Sequence, residues 1–453
     1  MKKIDTEFST RALADILRRL GLASDTPLKV AFSGGLDSCV LLHALCRLRE
    51  AMPLRLSALH VDHGLQPVSA DWARFAEQTC ARLNVPCTVE RIHVADIRGH
   101  GLEAAARHAR YAFLARHVAS GEVLLTAHHG DDQAETVLLQ MLRGAGVHGL
   151  AAMREIAPFS AGRIARPLLG FTRTQLANYA DREKLHWIDD ASNRDPRFSR
   201  NYLRHRVFPL LEERWPEAAR QIARSAGQAA EAAELLDLLA ESDLRSCRGQ
   251  SGLALSVTAL RRLSPPRQRN LIRYWLRVQG FQTPSALHLA HVLAQVAHEP
   301  RTRQAVIRWP EAEVCRYRDT LTAQTPCAET DAGVRLPWDP AVPLDIPGVG
   351  RLRAVAAQGD GLSRARIGEL PLTVGLRQGG ETCRLPGRAH RHKLKKLLQE
   401  AGIPPWERRR LPLVYVNDDL AAIGDRWVCE PYAARADEAG WKLRLEFVPE
   451  FRR

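Results

Sequence analysis

Three short runs of this sequence carry residues whose types and spacing could do chemistry. The first is Ser33-Gly34-Gly35-Leu36-Asp37-Ser38. It follows the apolar run LKVAF (28–32) and precedes a helical pattern at 37–49. Two glycines let a backbone turn tightly and approach an anion closely. The amides of the turn and helix N-terminus then point at that anion, and the hydroxyls of Ser33 and Ser38 add donors. This is a phosphate cradle without a lysine; the plainer reading is a βα turn rich in Gly and Ser. The pattern GxxxxGK[ST] is absent and no Gly-Lys pair occurs, which disfavours a P-loop kinase or GTPase. Asp37 discriminates between the two readings. A carboxylate beside a phosphate cradle repels it unless a cation lies between, so Asp37 points to Mg2+ and a nucleotide.

The second run, DDQAET (131–136), opens a helix just after a strand end. Glu135 can share a helix face with Asp132 (i,i+3) or with Asp131 (i,i+4). Read from the residues alone, the acids equally suit an ordinary helix start, with Asp131 as its cap. His128 and His129 precede them and could contact a nucleotide or simply pack. The third run, NRDPRFSRNYLRHR (193–206), carries Arg194, Arg197, Arg200, Arg204 and Arg206, interleaved with Phe198 and Tyr202. Basic side chains beside aromatics suit a single-stranded RNA loop, and Arg200 and Arg204 would form one face. The plain alternative is a solvated helix with core aromatics. Arg204 could instead stabilise charge in a transition state. Asp62, His63, Arg107 and Arg110 fit either a pocket or an ordinary surface. One decoy, GAGVHG (144–149), formally fits GxGxxG but follows a helix, so the dinucleotide mechanism has nowhere to work.

The elements that must position these runs alternate. Strand-like runs at 28–32, 55–63, 87–92 and 122–129 are separated by helical patterns at 37–49, 69–83 and 102–119, with another at 131–144. This predicts an α/β domain with a parallel sheet, helices on both faces and ligands beyond the carboxyl ends of the strands. After about residue 215 a long Ala/Leu helix (221–244) and further helical spacing predict a helical domain over 216–327. Residues 328–370 read as a linker with short strands. A small α+β unit over 371–453 carries a basic helix near 391–401.

The chain has 453 residues, 65 Lys and Arg, 51 Asp and Glu, and a net charge of +14. Clustering matters more than the total. From Arg377 to Arg410 there are ten basic and three acidic residues, and from Arg261 to Arg277 six arginines and no acid. Such patches fit a polyanionic partner. The nine cysteines form no CxxC, which argues against zinc ribbons and Cys-ligated clusters and for free thiols. No run is long and apolar enough to span a membrane, and the first twenty residues lack a signal-peptide core, so the expected location is cytoplasmic.

Taken together, these runs resemble a known family. SGGLDS after a first strand is similar to the PP-loop of the ATP pyrophosphatases. HVDHGLQ (60–66), EAAARHARYAFL (103–114), TAHHGDDQAETVLLQMLRGAG (126–146), RPLL (166–169), DDASNRDPRFSRNYLRHRVFPLL (189–211) and PGRAHRHKLKKLLQEAGIPPWERRRLPLVYVNDDLAAIGD (386–425) resemble bacterial tRNA(Ile)-lysidine synthetases. The resemblance implies ATP-driven adenylation of C2 of the wobble cytidine in a CAU-anticodon isoleucine tRNA, then attack by free L-lysine to give lysidine, AMP and pyrophosphate. It implies that residues 33–38 hold ATP, that Asp37 positions Mg2+, and that His128 or His129 contacts the nucleotide, His129 being preferred. Asp132 and Glu135 would bind the lysine amines, and Arg194, Arg200, Arg204, Arg388, Lys393 and Lys396 would contact tRNA, together with the 408–410 arginines. A homodimer is left open. The rival readings are a tRNA thiolase, which needs sulfur-carrying cysteines; a small-molecule synthetase, which needs neither basic segment; and a non-catalytic RNA-binding protein, which leaves Asp37 and DDQAET without purpose.

Overall fold

The computed structural model describes residues 7–22, 25–62, 64, 68–92, 101–249, 252–297, 304–326 and 334–446. The chain divides into two compact units, Met1–Leu236 and Asp237–Arg453.

The first unit runs α1 (Thr10–Arg19), β1 (Pro27–Ala31), α2 (Leu36–Leu48), β2 (Arg55–Asp62), α3 (Ser69–Arg82), β3 (Cys87–Arg91), α4 (Gly101–Arg116), β4 (Val123–Leu125) and α5 (Gly130–Leu142). It continues with α6 (Val147–Leu150), β5 (Ile156–Phe159), β6 (Gly162–Ala165), α7 (Arg173–Arg182), α8 (Ser199–Tyr202) and α9 (Phe208–Arg214), and α10 (Ala218–Ser246) follows. The sheet order is β3-β2-β1-β4-β6-β5. All neighbours are parallel except β5, which pairs antiparallel with β6. The β5–β6 hairpin was not expected from the sequence; its strands are four residues each and span Pro158 and Gly162.

Alternation sends successive strand residues to opposite faces. Leu28, Val30, Val123 and Leu125 join the core under α1, α2, α3 and α7. Leu124 faces the other way, into a second core with Phe113, Leu114 and Ile164. Helix α2 is buried along most of its length because α1 and α7 cover the side that β1 does not. Phe8 closes this layer edge-on to Phe171 and Tyr179, each ring centroid 5.0 Å away. The chain leaves β1 towards β2 on one side and returns at β4 on the other. The order therefore switches between β1 and β4, where open α/β sheets bind ligands.

The second unit departs from the expected layout in two places. Residues 304–324 form no helix. Strands Gln304–Trp309, Ala312–Tyr317 and Thr320–Gln324 make an antiparallel meander that is extended by Leu255–Ser256. Helices Pro265–Val278 and Ala286–Ala297 pack on it around fully buried Trp275. Two-residue turns at 310–311 and 318–319 connect its strands. The part of the expected linker that is described, residues 334–370, is structural. It supplies strands Arg335–Pro337, Leu344–Ile346, Gly350–Gln358 and Leu362–Ser363 to the two larger sheets of the C-terminal module. Trp338, Leu352 and Leu362 share one core with Val374, Val414 and Leu443. The abundance of Pro and Gly there reflects tight turns between short strands.

Cys383 and Cys429 are a disulfide, Cα atoms 5.9 Å apart, where free thiols were expected. Partners 46 residues apart cannot be matched from spacing alone. Six other cysteines are free, and Cys327 lies outside the described residues. No described helix is long and apolar enough to cross a membrane.

Candidate active site

The turn after β1 is built on Gly34, whose φ of +83° lies in the left-handed region that favours glycine. Gly35 is the N-cap of α2, and Asp37 sits in the first helical turn. Ser38 Oγ donates to Gly35 O (2.9 Å) and lies 3.1 Å from Ser33 Oγ, so both hydroxyls face the same turn. Cys39 points the other way: its thiol donates to Gly34 O, and burial pushes it up to about 12. It is a packing residue, not a nucleophile.

Next to this turn, the end of β4 delivers His129. It, not Asp131, is the N-cap of α5, and Asp132 Oδ2 accepts the His129 N–H at 3.1 Å. Asp131 instead accepts the Arg173 N–H at the start of α7 (2.7 Å). The His129 ring is 1% exposed. Its Nε2 lies 3.7 Å from Asp37 Oδ2 and 3.4 Å from Asp132 Oδ2, and its Nδ1 lies 3.2 Å from Asp131 Oδ2. Burial alone would lower its pKa, but the surrounding carboxylates of Asp132, Asp131 and Asp37 win and raise it to about 8. The ring is enclosed by the carboxylates of Asp37, Asp131 and Asp132, which stand against both of its nitrogens. His128 is the opposite case. Burial, aided by Arg166, Arg200 and Arg107 and opposed by Asp132, drives it down to about 3, and its Nδ1 lies 2.8 Å from Thr126 Oγ1.

Glu135 is 1% exposed. Arg204 binds it with two hydrogen bonds, Nε to Oε1 (2.7 Å) and Nη2 to Oε2 (3.1 Å), and also donates to Asp132 Oδ1 (3.1 Å). Arg200 Nε lies 3.4 Å from Glu135 Oε2, and its Nη2 donates to Thr136 Oγ1. Residues 203–207 form a π-helical turn, a local widening common at functional sites. Arg200 and Arg204, expected to face an RNA loop, are thus turned inward; only the fold puts Glu135 opposite them. Burial raises Glu135, and Arg204 opposes the shift. Asp132 ends up lowered: burial acts against this, but His129, His128 and the two arginines outweigh it. Asp37 is raised, chiefly by burial.

The remaining expected residues are scattered. Arg194 and Arg197 are exposed and pair with Asp189 and Asp195. Asp62 closes its own turn by accepting the Gly64 N–H (2.8 Å), and His63 lies outside the described residues. Arg107 and Arg110 lie over the Tyr111 ring. In the other unit, Lys393, Lys395, Lys396 and Arg388 are exposed, Arg388 pairing with Glu400 (3.1 Å). Arg408 is not on the surface: it is 8% exposed and donates to Ile403 O (2.7 Å) and Tyr317 OH (3.3 Å). Sequence reasoning missed Ile188, whose N–H donates to Gly34 O (2.9 Å). An aliphatic residue in HWIDD gives no signal of that role.

A glycine turn at a switch point, with carboxylates at the next strand end, defines a PP-loop domain, and the family pattern described as PP-loop domain matches residues 6–211. Two further patterns match, the TilS substrate binding domain at 255–322 and the TilS substrate C-terminal domain at 372–445. The tRNA(Ile)-lysidine synthase of Alkalilimnicola ehrlichii is 46% identical over 97% of this chain and 97% of its own. That of Coxiella burnetii is 41% identical over 94% of each chain, and that of Pseudomonas aeruginosa 43% identical over 91% of this chain and 92% of its own. The chain belongs to the tRNA(Ile)-lysidine synthase family.

Proposed function

We propose that this protein adenylates C2 of the wobble cytidine of a CAU-anticodon isoleucine tRNA with ATP and then joins free L-lysine to that carbon, releasing AMP. The observation that carries the reading is the placement of Asp132, Glu135 and Arg204 beside the Ser33–Ser38 turn. The base oxygen is a poor leaving group, and its transfer to AMP makes it a good one. That requires the α-phosphate held in line and the pyrophosphate charge neutralised. The turn amides and the Ser33 and Ser38 hydroxyls supply donors for the phosphates.

Asp37 Oδ1 is buried without a hydrogen-bond partner, and burial strains its charge. Both fit a divalent cation at this carboxylate. Mg2+ bound there would neutralise phosphate charge as pyrophosphate departs. Asp132 and Glu135 hold the lysine amines, sharing their oxygens with Arg204 or exchanging them. Glu135, raised by burial, is poised in the right direction to take the proton that the attacking amine must lose. Exposed Arg194, Lys393 and Lys396, with Arg388, position the tRNA backbone. Mass analysis of the wobble cytidine after incubation with tRNA, ATP and lysine tests this. The expected gain is lysine minus water; an unchanged cytidine with ATP consumed would refute it.

A further inference from the structure

We infer that Ile188 is a positioning residue for the phosphate turn, setting the direction of its amides from outside the motif. The inference rests on the reading that residues 33–38 hold the phosphates of ATP. Gly34 gives the turn its left-handed residue, and glycine is the residue least able to hold one conformation by itself. Serine contacts brace the turn on the side of Ser33 and Ser38. The opposite side is braced by the Ile188 N–H on Gly34 O at 2.9 Å and the Cys39 thiol on the same oxygen. In a trans peptide the carbonyl and the following N–H point in opposite directions. Tying Gly34 O backward therefore aims the Gly35 N–H forward, towards the hydroxyls, where it makes a long 3.4 Å bond to Ser33 Oγ.

The Ile188 side chain adds a steric limit. A Cβ at position 34 would stand 2.7 Å from Ile188 Cδ1 and 3.4 Å from Phe75 Cδ1. The same segment leads into the arginine-bearing helix. Asp190 Oδ1 accepts the Ser192 N–H (2.8 Å), and Asn201 donates to Ser192 O (2.9 Å) and Asp195 O (3.0 Å). Asn201 lies between Arg200 and Arg204, which hold Glu135. Ile188 thus stands at the nucleotide end of a continuous set of contacts whose other end grips the lysine-binding acid.

The test is steady-state kinetics on the full chain with tRNA, ATP and lysine. Ile188→Ala keeps the backbone N–H but removes the side chain that stands over Gly34, loosening the anchor of that N–H; it is expected to raise the ATP KM by roughly 5–10-fold while leaving the lysine KM within about twofold, the signature of lost nucleotide positioning. Ile188→Val, which removes only the atom over Gly34, is expected to give a smaller rise of roughly twofold, and it carries the test should the alanine variant not fold. Gly34→Ala is expected to cost less in the Ile188→Ala background than alone, because the close approach is gone. An unchanged ATP KM, or equal rises for ATP and lysine, overturns the inference. If Ser33→Ala and Asp37→Ala lose ATP turnover while the Ile188 variants do not, only the role of Ile188 falls. If those two variants are also unaffected, the nucleotide reading falls with it.

Discussion

The two charged regions of this molecule are built on opposite terms. At the end of β4 and the start of α5, Asp37, Asp132, Glu135, His129 and Arg204 are crowded together, with Glu135 and His129 almost wholly out of water. In the C-terminal module, Lys393, Lys395 and Lys396 stand in solvent, and the nearby arginines are held by single carboxylates such as Glu400 and Asp419. Buried charges interact strongly because little water screens them. Exposed ones are weak pair by pair but sum into a field that attracts a polyanion. The first arrangement suits bond making, the second capture.

The comparison breaks most sharply at Asp37. Asp37→Ala should lower tRNA-dependent AMP formation by at least about 10³-fold, since charge neutralisation at the phosphates goes with it; near-normal turnover would place the chemistry elsewhere. Arg204→Ala should come next. It leaves Glu135 buried without its two-bonded partner, at a cost of about 3 kcal/mol in chemical unfolding, together with lost activity; a variant as stable as the parent would show that Arg200 alone suffices. His129 sharpens the contrast through pH. Its folded-state pKa of about 8 stands above the ordinary 6.5. Its contribution is therefore complete below 6.5 and lost as pH rises through 8. That amounts to about 2 kcal/mol, and His129→Gln should flatten the pH–stability curve over that window. The exposed region should respond least to single changes. Lys393, Lys395 and Lys396 replaced together by alanine should weaken tRNA binding by roughly tenfold and reduce the slope of log affinity against log salt by about 2. ATP binding should stay as it was.

The contrast also explains what was legible in the sequence. The βα alternation, the glycine turn and the acids at 131–135 are local signals, and the structure has strands and helices within a few residues of the expected places. Partnerships across the chain are not local. That Arg204 faces Glu135, 69 residues away, depends on how α8 and the π-helical turn pack on α5. That His129 rather than Asp131 caps α5 depends on α7 claiming Asp131 through the Arg173 N–H. The meander at 304–324 was hidden because its short strands, rich in Ala and Arg, give no clean alternation; short strands were expected within 328–370, but not their pairing into the sheets of the C-terminal module. Arg408 was misjudged because a run of three arginines looks solvent-bound whichever one turns inward.

That inward turn bears on how modules of this kind can be recombined. Tyr317, at the end of a strand in the middle meander, has Trp406 edge-on at 6.2 Å and the Arg408 guanidinium near its ring and hydroxyl. A chimaera spliced between residues 326 and 334 would separate this tyrosine from both companions. A swapped tail would need its own aromatic and guanidinium at those positions, so the natural cassette for exchange begins upstream of the meander.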